Sequence, residues 1–293
     1  MNGSRINRRV LLLGATLTAP MLLRPARALA ATGIEARLAD LERQSGGRLG
    51  VALFDSMTGL RSGHRANERF AMCSTFKLLA AALILARVDR RQELLDRRIV
   101  FTAADLVAGA PITKDRIGEP GMTIAELCEA AVTVSDNGAA NLLLASFSGP
   151  EALTAYARSL GDEVTRLDRA EPTLNEATPG DPRDTTTPAA MLETMRKLLL
   201  DNALLPPSRN QLIRWLTANK TGDARLRAGL PPSWRIGDKT GTGDHGATND
   251  IAILWPPDRA PILVTAYFAE STQSDDARNA VLAEVGRIVA KYG

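Results

Sequence analysis

Histidine and cysteine are scarce in this chain, which has two of each among 293 residues: His64 and His245, Cys73 and Cys128. Neither pair has metal-ligand spacing, and no H-E-x-x-H stretch occurs, which argues against a zinc hydrolase. Neither histidine sits in a motif suited to a Ser-His-Asp esterase. A Cys73–Cys128 bridge would need Cα atoms within about 7 Å; both thiols are expected to be free. Runs of basic residues with interleaved aromatics are also missing, so no nucleic-acid partner is implied. Internal repeats and low-complexity stretches are absent too. What remains, 45% hydrophobic and 24% charged residues, suits one or two globular domains with a proper core.

Residues 1–30 stand apart. Arg5, Arg8 and Arg9 precede an apolar stretch from Val10 to Leu23 that ends in Ala28-Leu29-Ala30, a small-x-small pattern that predicts a signal peptide cleaved after Ala30. The apolar stretch is shorter than the roughly 20 residues of a spanning helix, so no membrane anchor is expected in the mature form. Arg8-Arg9 fits a twin-arginine signal, with Val10-Leu11 in place of the usual phenylalanine. The chain's net charge is +3, and this segment holds five arginines and no acid, which leaves the mature chain at −2. A periplasmic location follows, with a monomer as the default state.

Past the leader, Ile34, Leu38 and Leu41 are spaced as one face of an amphipathic helix, and residues 49–64 read as a hairpin turning at Thr58-Gly59. From Ser74 to about Thr217 the pattern is helix or loop. Strands return at "WRIGDKTGT", "ATNDIAILW" and "PILVTAYFA", followed by a helix from Asp275 to Tyr292. Strands at both ends and helices between predict an α/β chain of the α+β type, an antiparallel sheet flanked by helices with an all-helical domain inserted. The expected division is residues 31–67 with 217–293 for the sheet and 68–216 for the helices, the latter carrying a loop over 169–184.

"MCSTFKLLAAALILARV", residues 72–88, reads as a helix apolar on every face, yet Lys77 lies inside it three residues after Ser74. Positions i and i+3 share a helix face, which places an amine near a hydroxyl, a nucleophile beside its base. The surrounding Phe76, Leu78 and Leu79 should depress the lysine pKa. A helix cap at Ser74 with a snorkelling lysine explains the same four residues. Three further stretches weigh against that reading. They are Ser135-Asp136-Asn137 between two helices, Glu171 in the long stretch "RAEPTLNEATPGDPRD", and Lys239-Thr240-Gly241 in a strand. A second K-T-G, Lys220-Thr221-Gly222, follows a helix and reads as its glycine stop.

With these four stretches in this order, the sequence resembles the class A serine β-lactamases across essentially the whole mature chain. The resemblance implies the serine β-lactamase/penicillin-binding-protein-like fold. It also implies hydrolysis of the β-lactam amide of penicillins and cephalosporins through a serine acyl-enzyme, conferring antibiotic resistance. Ser74, Lys77, Ser135, Glu171 and Asn175 would be catalytic. Asn137, Lys239, Thr240, Gly241, Thr242 and Arg225 would bind substrate. Backbone N–H groups of Ser74 and Thr242 would hold the oxyanion, and Arg169–Asp184 and a cis Glu171–Pro172 bond would shape the loop. A small-molecule β-lactam would be the partner, with no metal or cofactor. The alternatives are a penicillin-binding D,D-peptidase, which lacks an equivalent of Glu171, and a non-catalytic β-lactam sensor domain. Departures from the family pattern fall at Gly109, which replaces an aromatic flanking the cleft, and at Gly243 and Ala81, which occupy common partner positions of Cys73 and Cys128.

Overall fold

The computed structural model describes residues 23–292 together with Met1; of the leader expected over residues 1–30, residues 2–22 lie outside the described residues. Five strands form one antiparallel sheet: β1 (Arg48–Asp55), β2 (Arg61–His64), β3 (Arg235–Thr242), β4 (Thr248–Trp255) and β5 (Ile262–Ala269). Their order is β2-β1-β5-β4-β3, so the first long strand pairs with the last, Val51 opposite Ala266 and Leu53 opposite Val264. Strand alternation splits β1, β4 and β5 between two cores. Leu49, Val51, Leu53, Val264 and Phe268 face one, which Ile34, Leu38, Leu282 and Val285 complete. Ala52, Ile251, Ile253, Leu263 and Tyr267 face the other, with the middle helices. Burial on both faces is why "ILVTAYFA" reads as an unbroken apolar run instead of an alternating one.

The first core is closed by helices α1 (Leu23–Ser45) and α8 (Asp275–Tyr292). Helix α1 starts ten residues before Gly33 and runs unbroken through Ala28-Leu29-Ala30. Alanine, leucine and arginine are strong helix formers, so nothing local ends the helix at the expected cleavage point. The second core is a body of six helices: α2 (Phe76–Asp89), α3 (Ile124–Thr133), α4 (Asn137–Ser146), α5 (Pro150–Ser159), α6 (Pro188–Leu199) and α7 (Pro206–Thr217). Helix α2 is its axis, every residue from Phe76 to Ala86 being buried. Asp136 caps α4 through Ala139 N–H, while its other contacts, to Ile112 N–H, Thr113 N–H and the Thr113 hydroxyl, bind the preceding loop. No described helix is long and apolar enough to cross a membrane.

Three local expectations are corrected. The apolar helix does not begin at Met72: residues Cys73–Thr75 form a 3-10 turn, with Cys73 at φ +46°, before α2 starts at Phe76. The stretch 169–184 is not wholly irregular either, since Thr173–Glu176 is a 3-10 turn. Gly222 is not a helix stop, because α7 ends at Thr217 with Ala218 at its cap. Its need for glycine is steric: a Cβ there would stand 2.0 Å from Asp238 Oδ2, a fully buried carboxylate. Gly222→Ala should therefore cost about 1–3 kcal/mol through overpacking, read as a lowered thermal midpoint. An unchanged midpoint would show that Asp238 yields freely.

Candidate active site

The site lies where the Cys73–Thr75 turn, the loop before α4, the 169–184 loop and the outer edge of β3 converge. Ser74 is held there by the backbone on either side of it. Phe70-Ala71 pairs with Thr185-Thr186, Met72 N–H donates to Asp184 O at 2.9 Å, and Asn249 on β4 donates to Ala71 O and Met72 O. Anchored from both sides, the chain accepts the positive φ at Cys73 and presents Ser74 at the start of α2, only 8% exposed.

Lys77 is fully buried and makes four polar contacts. Its Nζ donates to Ser135 O at 2.8 Å, Ser135 Oγ at 3.3 Å and Asn137 Oδ1 at 2.6 Å, and lies 3.0 Å from Glu171 Oε1. Among the described residues it forms no hydrogen bond with Ser74. The serine hydroxyl instead donates to the same Glu171 Oε1 at 3.1 Å. The expected proximity of serine and lysine is thus realised through a carboxylate 97 residues further on. Burial pushes the Lys77 pKa below the ordinary lysine value, and the Glu171 charge only partly offsets this.

Glu171 is only 4% exposed and is fixed at both ends. Asn175 Nδ2 donates to its Oε2 at 2.5 Å. Asn141 on α4 brackets its backbone, accepting from Glu171 N–H at 3.0 Å and donating to Glu171 O at 2.9 Å. The Glu171–Pro172 bond is cis, as is Glu119–Pro120. At the loop's neck Arg169 Nε meets Asp184 Oδ2 at 2.5 Å, and Asp184 Oδ1 accepts from the N–H groups of Asp168 and Arg169.

The opposite wall is β3. Lys239 Nζ donates to Ser135 Oγ at 3.1 Å and Thr240 O at 2.8 Å, so Ser135 receives both lysines. Burial first, and then the charge of Lys77, hold the Lys239 pKa well below the ordinary value. Arg225 donates to Gly241 O and Asn249 O, to Thr242 Oγ1 at 2.6 Å and to Asn279 Oδ1. Its guanidinium is thereby committed to the strand edge and to Thr242. Gly243 N–H donates to Ala247 O at the hairpin end, and antiparallel alternation then turns Thr242 N–H outward, away from β4.

The residues that the sequence marks as catalytic or substrate-binding line this site or abut it. Asn137 is engaged at both ends of its amide, by Lys77 and by Ala108 O. Gly109 lies against it, and a Cβ there would come within 2.6 Å of Asn137 Nδ2. Cys73 and Cys128 are free and buried, and burial pushes the Cys73 thiol up to about 12. Three contributors were missed. Asn141 follows Asn137 by four residues, one helix face, a spacing that signals a shared surface. Asn249 stands opposite Gly241 in the β3–β4 register. Thr221, in the K-T-G read as a helix stop, shares a 2.5 Å hydrogen bond with the Thr240 hydroxyl. Among the described residues no group of three or more His, Cys, Asp or Glu side chains is arranged to hold a metal ion.

The chain matches the family model described as Beta-lactamase enzyme family over residues 33–292. It is 48% identical over 285 residues to β-lactamase OXY-2 of Klebsiella oxytoca, covering 97% of both chains. It is 49% identical over 259 residues to β-lactamase CTX-M-8 of Citrobacter amalonaticus, covering 88% of this chain and 89% of that one. Among solved structures it is similar to an ancestral class A β-lactamase, GNCA, with 65% identity and a TM-score of 0.87, covering 88% of this chain and 99% of that one. With matches of this length joined to a serine, two lysines and a carboxylate gathered at one strand edge, the chain belongs to the β-lactamase enzyme family and is a class A β-lactam hydrolase.

Proposed function

We propose that hydrolysis runs through an acyl-enzyme on Ser74, with Glu171 as the proton acceptor in both halves of the reaction. The reading rests on one observation, that a single carboxylate oxygen lies within hydrogen-bond reach of both the Ser74 hydroxyl and the Lys77 ammonium. Ser74 Oγ attacks the lactam carbonyl carbon as its proton passes to Glu171. The developing oxyanion is held by the N–H groups of Ser74 and Thr242, fixed donors of a kind worth about 3–4 kcal/mol in the transition state. When the carbon–nitrogen bond breaks, the nitrogen takes a proton from the Ser135 hydroxyl, Lys77 replaces that proton, and Glu171, 3.0 Å from the lysine, returns its own to Lys77 and is a carboxylate again for the second half. Water then attacks the ester and gives its proton to Glu171, which passes it to the departing Ser74 oxygen and so restores both the hydroxyl and the carboxylate. Asn175 supports this second step, because its Nδ2 orients Glu171 and its buried Oδ1, without a protein partner among the described residues, can accept from that water.

Lys239, Thr240 and Thr242 receive the substrate carboxylate along β3, Gly241 lets the strand approach closely, and Asn137 borders the acylamide side chain. Arg225 contributes by holding Thr242 in place. The helical residues 68–216 act as a domain set into the sheet of 31–67 and 217–293, so that the cleft lies between them. The mature protein is a periplasmic monomer without an anchor, exported and cleaved after Ala30. A penicillin-binding peptidase or a sensor does without the Glu171 arrangement, since neither releases the acyl group that a β-lactam leaves on it.

Ser74→Ala should abolish turnover of a chromogenic cephalosporin. Glu171→Ala should slow deacylation by about a hundredfold or more while Lys77 sustains some acylation, so that intact mass finds the adduct accumulated. Rapid release from Glu171→Ala would defeat the scheme. Intact mass of the exported enzyme also reads its first residue.

Asp184→Asn loosens the loop's neck, and deacylation should fall by roughly tenfold to a hundredfold while acylation changes less. Equal loss in both steps, measured by stopped flow, would count against a loop that serves mainly to aim Glu171.

The depressed Lys239 amine sheds its proton at lower pH than a free lysine, and the charge that binds the substrate carboxylate goes with it. KM should thus rise on the alkaline side of the profile. In Lys239→Arg, whose guanidinium stays protonated, that limb should shift to higher pH. An alkaline limb identical in both enzymes would rule out Lys239 as its origin.

A further inference from the structure

At the end of α2 opposite Ser74, about 20 Å along the helix axis, a groove of about 670 Å³ opens between the turn after α2 and the outer face of α4. Its volume falls within the range of small-molecule sites. Arg87, Arg91 and Arg97 line it against a single carboxylate, Glu93. That carboxylate is already spent. Arg97 grips it with two 2.7 Å hydrogen bonds, and Leu94 N–H donates to it as well. Glu93 accordingly sits below the usual carboxylate range, held there first by Arg97.

Arg87 and Arg91 have no carboxylate within ion-pair distance among the described residues, and Arg87 Nη2 makes only a long 3.4 Å contact with Gln92 O. Arg87 Nε is buried and has no hydrogen-bond partner among the described residues. An unsatisfied buried N–H on a charged group costs free energy, and an oxyanion beside it would remove that cost. Apart from Gln92 and Ser146 the rest of the groove is apolar, with Leu142 and Ala145 from α4, Ile99 opposite, and Leu94 standing 66% exposed at the rim. A cationic pole with an unused donor, next to an apolar floor, matches an anion that carries a hydrocarbon body.

We propose that this groove binds a free amphiphilic carboxylate, its head on Arg87 and Arg91 and its alkyl chain along Leu94, Ile99, Leu142 and Ala145. The site is separate from the catalytic cleft and uses none of its residues. Guanidinium and carboxylate match as paired donors and acceptors, so the head is fixed in orientation as well as in charge. Each buried methylene adds to affinity, so binding should tighten along a series of lengthening chains.

Decanoate and the uncharged decanol are titrated by calorimetry into the full enzyme and into two variants, Arg87→Gln and Ala145→Trp. The first removes the unpartnered donor, and the second fills the apolar floor from an exposed position on α4. Decanoate should bind the unaltered enzyme, with affinity reduced at least about tenfold in Arg87→Gln and lost in Ala145→Trp. Decanol should bind at least tenfold more weakly than decanoate. Cephalosporin turnover should stay intact in both variants, which establishes that each is folded. Absence of decanoate binding to the unaltered enzyme at millimolar concentration overturns the proposal. So does equal affinity in both variants, or equal affinity for decanol. If Arg87→Gln loses turnover, Ala145→Trp alone decides.

Discussion

An ammonium and a carboxylate buried against each other, neither side chain touching solvent, set the terms for this molecule. Lys77 and Glu171 come from the central helix and from a loop almost a hundred residues later. Desolvating both charges is expensive unless their remaining hydrogen bonds are satisfied. The surroundings are built to that requirement: Ser135 and Asn137 accept from Lys77, and Asn175 and Ser74 donate to Glu171. Removing one partner alone would strand the other charge, which is why the pair behaves as a unit. The Ser74 hydroxyl is drawn into that unit as one more donor to the carboxylate.

Rigidity around the pair is supplied by backbone as much as by side chains. Asn141 holds the Glu171 peptide from α4, Asp184 ties both ends of its loop, and Asn249 fastens the approach to Ser74 from β4. Arg225 and Thr221 steady the strand edge from behind. These residues hold the backbone and the strand edge around Ser74 and Glu171. Preorganisation of this sort keeps donors in place before charge develops, so little reorganisation is needed when it does.

Much of this was legible in the chain. The strands and the last helix follow from apolar runs bounded by turn residues, and α8 spans the expected Asp275–Tyr292. The serine, lysines and Glu171 were recognisable from short motifs in a fixed order. The break at Cys73 was not, because a positive φ there is imposed by Asp184 and Asn249, partners far away in sequence. The Ser74–Lys77 relation was read from helical spacing, and the intervening carboxylate was invisible to a local rule. Gly222 misled for a related reason, since its neighbour Asp238 is brought close by the fold alone. The groove beside Arg87 lay equally outside reach, as only packing reveals which arginine lacks a partner.

The pairing of β1 with β5 has a consequence for biosynthesis. The strand that follows the first helix waits for one made near the carboxyl terminus, and Met72 waits for Asn249, 177 residues downstream. Contacts of such long sequence separation form late and slowly. A growing chain that has not yet made that strand therefore holds its serine on an unfinished scaffold.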